Sequence, residues 1–126
     1  MLTKKLNEIS SLTDPAAIVQ QFKTLSNQEA VYIALFCAID WCDDPAFLAQ
    51  ILTSLDVPQH VKAKFAQTTS HKSDKAMIEF FSTMPSPEYS AWAALCSACA
   101  VAKTFDYKKM GHLANIALKQ LELIPA

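Results

Sequence analysis

The stretch AWAALCSACAVAK, residues 91–103, carries one charged side chain among thirteen residues and two cysteines at C-x-x-C spacing. A second stretch, AVYIALFCAI at residues 30–39, is equally apolar. Helices that are apolar on nearly every face belong at the centre of a protein, so both stretches predict buried central helices. Four alanines recur at helical spacing and predict a groove that lets a neighbouring helix approach closely: Ala91, Ala94, Ala98 and Ala102.

The rest of the chain also has a helical pattern. One glycine in 126 residues and the absence of strand-like alternation argue against a sheet. Capping residues stand directly before proline at positions 14, 44 and 86, and Ser26–Glu29 forms a capping box. We therefore expect an all-α, single compact domain of seven to eight helices, near residues 2–11, 14–24, 27–42, 45–55, 58–68, 73–83, 87–103 and 106–123.

The chain also shows a faint internal repeat. An offset of 59 residues places Asp14–Ile39 on Ser73–Ala98 without a gap, with identical residues at six of 26 positions. One of the identical pairs is Phe22 and Phe81. We expect these two rings to occupy equivalent buried places if the repeat reflects the fold.

After a six-residue insertion, the match continues from residues 48–51 onto residues 113–116. The pattern is compatible with two three-helix units, 14–55 and 73–122, bridged by a helix at 58–68. Chance identity in an alanine-rich chain is the alternative interpretation.

Charge and composition exclude several classes of function. All eleven basic residues are lysines, and the net charge is −1. Without arginine the chain lacks bidentate phosphate and guanine recognition, so we expect no nucleic-acid partner. Both apolar stretches are shorter than the roughly 20 residues that span a bilayer, and the first residues contain no apolar signal segment. We expect no membrane span, a cytoplasmic location and reduced cysteines.

The favoured interpretation of the cysteines is packing. Cys37 and Cys96 correspond under the 59-residue offset, and a cysteine in an apolar helix acts as a small hydrophobe. We expect Cys96 and Cys99 to pack against the helix that begins near residue 106 as free thiols. The residues that we expect to be buried are Ala34, Cys37, Ala94, Cys96 and Ala98.

A metal site is the first chemical alternative, and the sequence speaks against it. Zinc sites usually combine a C-x-x-C turn with a second pair of ligands at similar spacing. Cys37 and Cys42 are five residues apart and point in different directions on a helix. Each histidine, at positions 60, 71 and 112, lacks a partner at ligand spacing. We expect no metal and no cofactor.

The second chemical alternative is a redox pair, Cys96 and Cys99. Their spacing resembles that of the helical peroxidases related to carboxymuconolactone decarboxylases, in which a histidine follows the C-x-x-C motif by four residues. Lys103 stands at the histidine position here, and Met84 stands about where that family has a glutamate. The groups that would relay a proton or lower the thiol pKa are therefore missing from the pattern.

Charged residues are unevenly distributed along the chain. Residues 26–60 contain five acids and no lysine, whereas residues 61–75 contain four lysines. The acids have a purely structural interpretation, in which one helix ends, Asp43 is solvated and Asp44 caps the next helix. In the same way, Ser73 or Asp74 caps a later helix. If the two segments form surface patches, they suit electrostatic steering towards a protein. The candidate partner surface comprises Asp40, Asp43, Asp44, Lys62, Lys64, Lys72 and Lys75.

Several short segments resemble a small all-helical family of uncharacterised bacterial proteins often encoded near type VI secretion genes. Those segments are Glu29-Ala30-Val31-Tyr32, Cys37-Ala38, Phe80-Phe81-Ser82 and the alanine-rich helix after Pro87. The proline-rich linker of that family is much shorter in this chain. The resemblance covers roughly Gln28 to the C-terminus and implies a bacterial cytoplasmic accessory protein, without catalytic residues.

These observations favour a non-enzymatic helical module that binds another protein, such as an adaptor, a secretion accessory or chaperone, or an immunity-type protein. The alternative is a thiol-dependent redox or peroxidase-like enzyme that uses Cys96 and Cys99. The sequence leaves open which protein is the partner and whether copies of the chain associate.

Overall fold

The computed structural model describes residues 2–68, 73–104 and 107–123, and these residues form helices joined by short turns. The prediction of an all-α fold with seven to eight helices is confirmed for the described residues. The helices are α1 (Leu2–Ser10), α2 (Pro15–Lys23), α3 (Asn27–Trp41), α4 (Pro45–Ser54), α5 (Gln59–Thr68), α6 (Asp74–Phe81), α7 (Pro87–Lys103) and α8 (Tyr107–Leu123).

Side-chain caps fix the beginnings of four helices where the sequence predicts them. The Asp14 and Asp44 carboxylates accept backbone N–H groups at the starts of α2 and α4. Ser26 accepts the N–H of Glu29 at 3.1 Å, and the Glu29 carboxylate accepts the Ser26 N–H at 2.9 Å, which completes the capping box. Ser73 caps α6 in the same way, with the Ala76 N–H as donor.

The start of α7 departs from the predicted cap. Ser86 occupies the N-cap position, but its side chain makes no capping hydrogen bond, and its buried Oγ has no partner among the described residues. The neighbouring turn is instead tied to α3, because the Asn27 side-chain amide donates to the Met84 carbonyl. The serine before proline therefore predicts correctly where the helix starts, but it does not form the capping hydrogen bond that such a residue usually forms.

The centre of the protein is the packing of α3 against α7, as the two apolar stretches predict. Both helices are buried along most of their length. The Asn27–Met84 bond joins their beginnings, whereas Cys42 and Cys99 line one cavity towards their ends. The two helices therefore run side by side in the same direction.

Helices α2, α6 and α8 surround this central pair. Helix α8 packs along α3, α2 contacts α7, and α6 contacts α3. Phe22 of α2 and Phe81 of α6 are both fully buried. Since α2 contacts α7 and α6 contacts both α3 and α7, the two halves of the chain share one core.

Helix α4 is held on the α2 side of the protein by aromatic packing. The Trp41 ring lies edge-on to Phe22 at 6.3 Å and to Phe47 at 6.5 Å between ring centroids. The offset of the internal repeat places Ala100 opposite Trp41. The bulk of Trp41 thus has no counterpart in the second half, where α8 closes on α3.

Among the described residues, every helix is too short or too polar to cross a bilayer.

Candidate functional site

Three cysteines converge towards the ends of the central helices. Cys42 caps the end of α3, and Cys96 and Cys99 lie on the second half of α7. Burial raises the pKa of Cys42 and of Cys96, and proximity to Cys99 adds to the rise at both thiols. All four cysteines of the chain are free thiols. The parallel course of α3 and α7 brings Cys42 near a C-x-x-C motif that is distant in the sequence.

A cavity opens between α4 and the end of α7, and we call it the α4–α7 cavity. Its volume is about 430 Å³. Its walls are mostly hydrocarbon and sulfur, and one charged side chain lies among them. Its lining residues include Cys42, Leu48, Leu52, Cys99, Ala102 and Lys103. The volume lies within the range of small-molecule sites in proteins.

Burial suppresses the thiolate form at three of the cysteines. It raises the pKa of Cys37 from its usual 9.0 to about 12, with a further contribution from the Asp40 carboxylate. It also raises the pKa of Cys96 to about 12, with a contribution from Cys99 and an opposing one from Lys62 and Lys103. For Cys42 burial again dominates, followed by Cys99 and Asp43. Such thiols are poor nucleophiles at neutral pH.

One expectation about the C-x-x-C motif is wrong. Cys96 is half-buried rather than buried, because it opens into a second cavity of about 300 Å³ with Phe65, Met77 and Lys109. Cys99 lines the α4–α7 cavity and therefore faces α4. Residues three apart on a helix differ in direction by about 60°, which is enough to send the two thiols into different cavities.

The remaining burial predictions for the central helices are confirmed. Ala34 and Ala94 are completely buried, and Cys37 and Ala98 are nearly so. Small side chains are thus buried on both of the central helices, which pack against each other.

The acidic half of the candidate partner surface lies at the end of α3 and the start of α4. Asp40, Asp43 and Asp44 are exposed. Asp44 also caps α4, and its carboxylate accepts the Phe47 N–H at 3.2 Å. The predicted role of Asp44 as a cap and the predicted exposure of Asp43 are therefore both confirmed, and the three carboxylates do follow one another on the surface.

The basic half is divided between two helices. Lys62 and Lys64 are exposed on α5, and Lys75 is exposed on α6. Lys72 lies outside the described residues. The charge of Lys62 reaches the central thiols, since it opposes the rise in the pKa of Cys96. Lys62 thus lies on the side of α7 that carries Cys96.

A hydrophobic residue beside the acids was not singled out by the sequence. Ile39 lies on α3 next to Asp40, and 42% of it is exposed to solvent. The neighbouring residue Ala38 is almost fully buried, so the central helix comes to the surface only on this side near its end. The one sequence signal for this surface is an isoleucine directly before Asp40 and four residues before Asp43.

The described part of the chain contains no cluster of metal-ligating side chains. No group of three or more histidine, cysteine, aspartate or glutamate side chains is arranged there to hold an ion. His60 and His112 are exposed. The third histidine, His71, lies outside the described ranges.

Comparison with known proteins returns no matching family model, no similar curated protein and no similar solved structure.

Proposed function

We propose that the protein is a non-enzymatic helical module that binds another protein through the end of α3. The observation that carries this proposal is the exposure of Ile39 beside Asp40 and Asp43. A large aliphatic side chain with charged neighbours is the composition expected of a small interface, in which the apolar residue is covered and charges form the rim. We call Ile39, Asp40 and Asp43 the α3-end surface.

The uneven distribution of charge supports electrostatic steering of that partner. Carboxylates follow one another at the α3–α4 junction, and the exposed lysines Lys62, Lys64 and Lys75 lie on α5 and α6. A partner with a basic contact surface is attracted to the first region and repelled by the second. The charge pattern thus orients an encounter as well as strengthening it.

The resemblance in the sequence narrows the proposal further. It favours a bacterial cytoplasmic protein that works as an adaptor, a secretion accessory or chaperone, or an immunity-type protein. In each of these roles, binding to a cognate protein is the activity. Neither a nucleic acid nor a membrane is part of the proposal, and self-association is compatible with it.

Thiol-dependent redox chemistry is the alternative, and one observation favours it. Cys42 and Cys99 line a common cavity, so the protein does bring two thiols together. Burial, however, raises the pKa of Cys42, and it raises the pKa of the Cys96 thiol to about 12. A redox cysteine needs a lowered pKa, which makes the interaction module the better proposal.

Charge reversal at the α3-end surface tests the proposal. The tagged protein is purified from its source cell, and co-purifying proteins are quantified by mass spectrometry for the wild type and for D40K/D43K. The matched control is E8K/E79K, which makes the same change in net charge at two exposed glutamates on α1 and α6. Thermal melts establish that both double variants fold.

We expect one specific protein to be retained by the wild type and by E8K/E79K and to be lost from D40K/D43K. Like charges across an interface oppose association by enough to weaken it about tenfold or more. If every co-purifying protein responds equally to both double variants, the α3-end surface is not the binding site. Catalytic reduction of a peroxide by the purified protein would establish the thiol alternative instead.

A further inference from the structure

The α4–α7 cavity lies between two helices that pack mainly against other partners. Helix α8 packs along α3, whereas α4, the helix that the internal repeat places in the corresponding position, packs against α2. Trp41 lies between Phe22 and Phe47 and supports α4 on that side. With α4 held against α2, a space remains between α4 and the last turns of α7.

The walls of this cavity are suited to an alkyl chain. Leu48 and Leu52 lie one turn apart on α4, and Cys99 and Ala102 face them from α7. None of these side chains offers a strong hydrogen-bond donor or acceptor, so the cavity gains little from a polar guest. An apolar guest displaces water from hydrocarbon and sulfur, which is favourable for each methylene that is buried.

One charge is available at the edge of the cavity. Lys103 lies four residues after Cys99, on the same side of α7, and it is exposed. Asp44 lies at the start of α4, and its carboxylate is engaged as the cap of that helix. Asp43 lies near Cys42 and is not among the residues that line the cavity.

We propose that the α4–α7 cavity binds a small amphipathic anion, such as a medium-chain carboxylate. Its alkyl chain lies against Leu48 and Leu52, and its carboxylate is paired with the Lys103 ammonium. Because one cation lies at the edge of an otherwise apolar cavity, the cavity matches a ligand that has one anionic head group and an apolar tail. This site is separate from the α3-end surface and does not depend on it.

Titration calorimetry with decanoate, below the concentration at which it forms micelles, tests the proposal. We expect one molecule to bind per chain. Octanoate, with two methylenes fewer, should bind roughly tenfold more weakly. Decyltrimethylammonium carries the same chain length with the opposite charge, and we expect it to bind several-fold more weakly than decanoate because Lys103 repels it.

Two lysine variants test the head-group contact. Lys103→Met should weaken decanoate binding by about 1.5-fold to fivefold, the range expected for an exposed ion pair. Lys108→Met removes an exposed lysine of α8 that does not line the cavity and should leave the affinity unchanged. A protection measurement locates the chain, since bound decanoate should slow alkylation of Cys99 and leave that of Cys37 unaltered.

The proposal is overturned by absence of decanoate binding to the wild type. It is also overturned if the ammonium compound binds as well as decanoate, or if Lys103→Met and Lys108→Met behave alike. Binding without protection of Cys99 would place the ligand elsewhere and would likewise contradict it.

Discussion

Replacing Ala94 by leucine tests how closely the two central helices pack. Ala94 is completely buried on α7, whose main neighbour is α3. Three additional carbon atoms have no space at this position, so either the helices separate or the new side chain adopts a strained rotamer. Overpacking of this kind costs about 1–3 kcal/mol. A loss of about 2 kcal/mol in a chain of this length corresponds to a decrease in Tm of roughly 6–10 °C.

The matched control is Ala100→Leu on the same helix. Ala100 is exposed, so the same three carbon atoms extend into solvent there, and helix propensity changes equally in both variants. Urea unfolding of the wild type and of both variants, followed by circular dichroism, gives the free energy of unfolding. We expect Ala94→Leu to be destabilised and Ala100→Leu to lie within about 0.5 kcal/mol of the wild type. Equal stability of the two variants would refute the close packing of α3 on α7.

Three further predictions concern the core. Ser90 is completely buried and its Oγ has no partner among the described residues, so Ser90→Ala should raise the free energy of unfolding by about 1 kcal/mol. The control Ser82→Ala removes a hydroxyl that donates to the Glu79 carbonyl and should not raise it. A destabilised Ser90→Ala variant would show that the hydroxyl is satisfied. The double variant C96A/C99A should lose roughly 1–2 kcal/mol at neutral pH. Because burial raises the pKa of Cys96 from its usual 9.0 to about 12, the stabilisation by this protonated thiol should be complete below pH 9 and lost as the pH rises towards 12. A difference in the free energy of unfolding between wild type and C96A/C99A that stays constant from pH 9 to 12 would contradict stabilisation by the protonated Cys96 thiol. A fragment of residues 1–57 should show little helix by circular dichroism, because α3 then lacks α7 and α8, and a cooperatively melting fragment would show that the first half has a core of its own.

Local signals determine most of the fold and can be found in the sequence. The capping box at Ser26, the cap at Asp44 and the apolar character of the two central stretches require only residues near one another in the chain. These signals place each helix to within a few residues. The fold class therefore follows from propensity, caps and hydrophobic pattern.

The candidate sites depend on packing between helices, which the local pattern does not contain. A helix that is apolar on every face does not reveal which face is left uncovered, so the exposure of Ile39 could not be predicted. The proximity of Cys42 to Cys99 requires the parallel course of α3 and α7, which only the tertiary structure specifies. The half-buried position of Cys96 has the same origin, because it depends on the space left by α5, α6 and α8.

The most direct test of the account compares the affinity of the captured partner for two double variants of the purified protein. The central claim is that function resides in the α3-end surface and not in the thiols. We therefore predict that C96A/C99A binds the partner with the same Kd as the wild type, whereas D40K/D43K binds it at least about tenfold more weakly. Loss of binding in a folded C96A/C99A variant, with D40K/D43K binding normally, would contradict the claim.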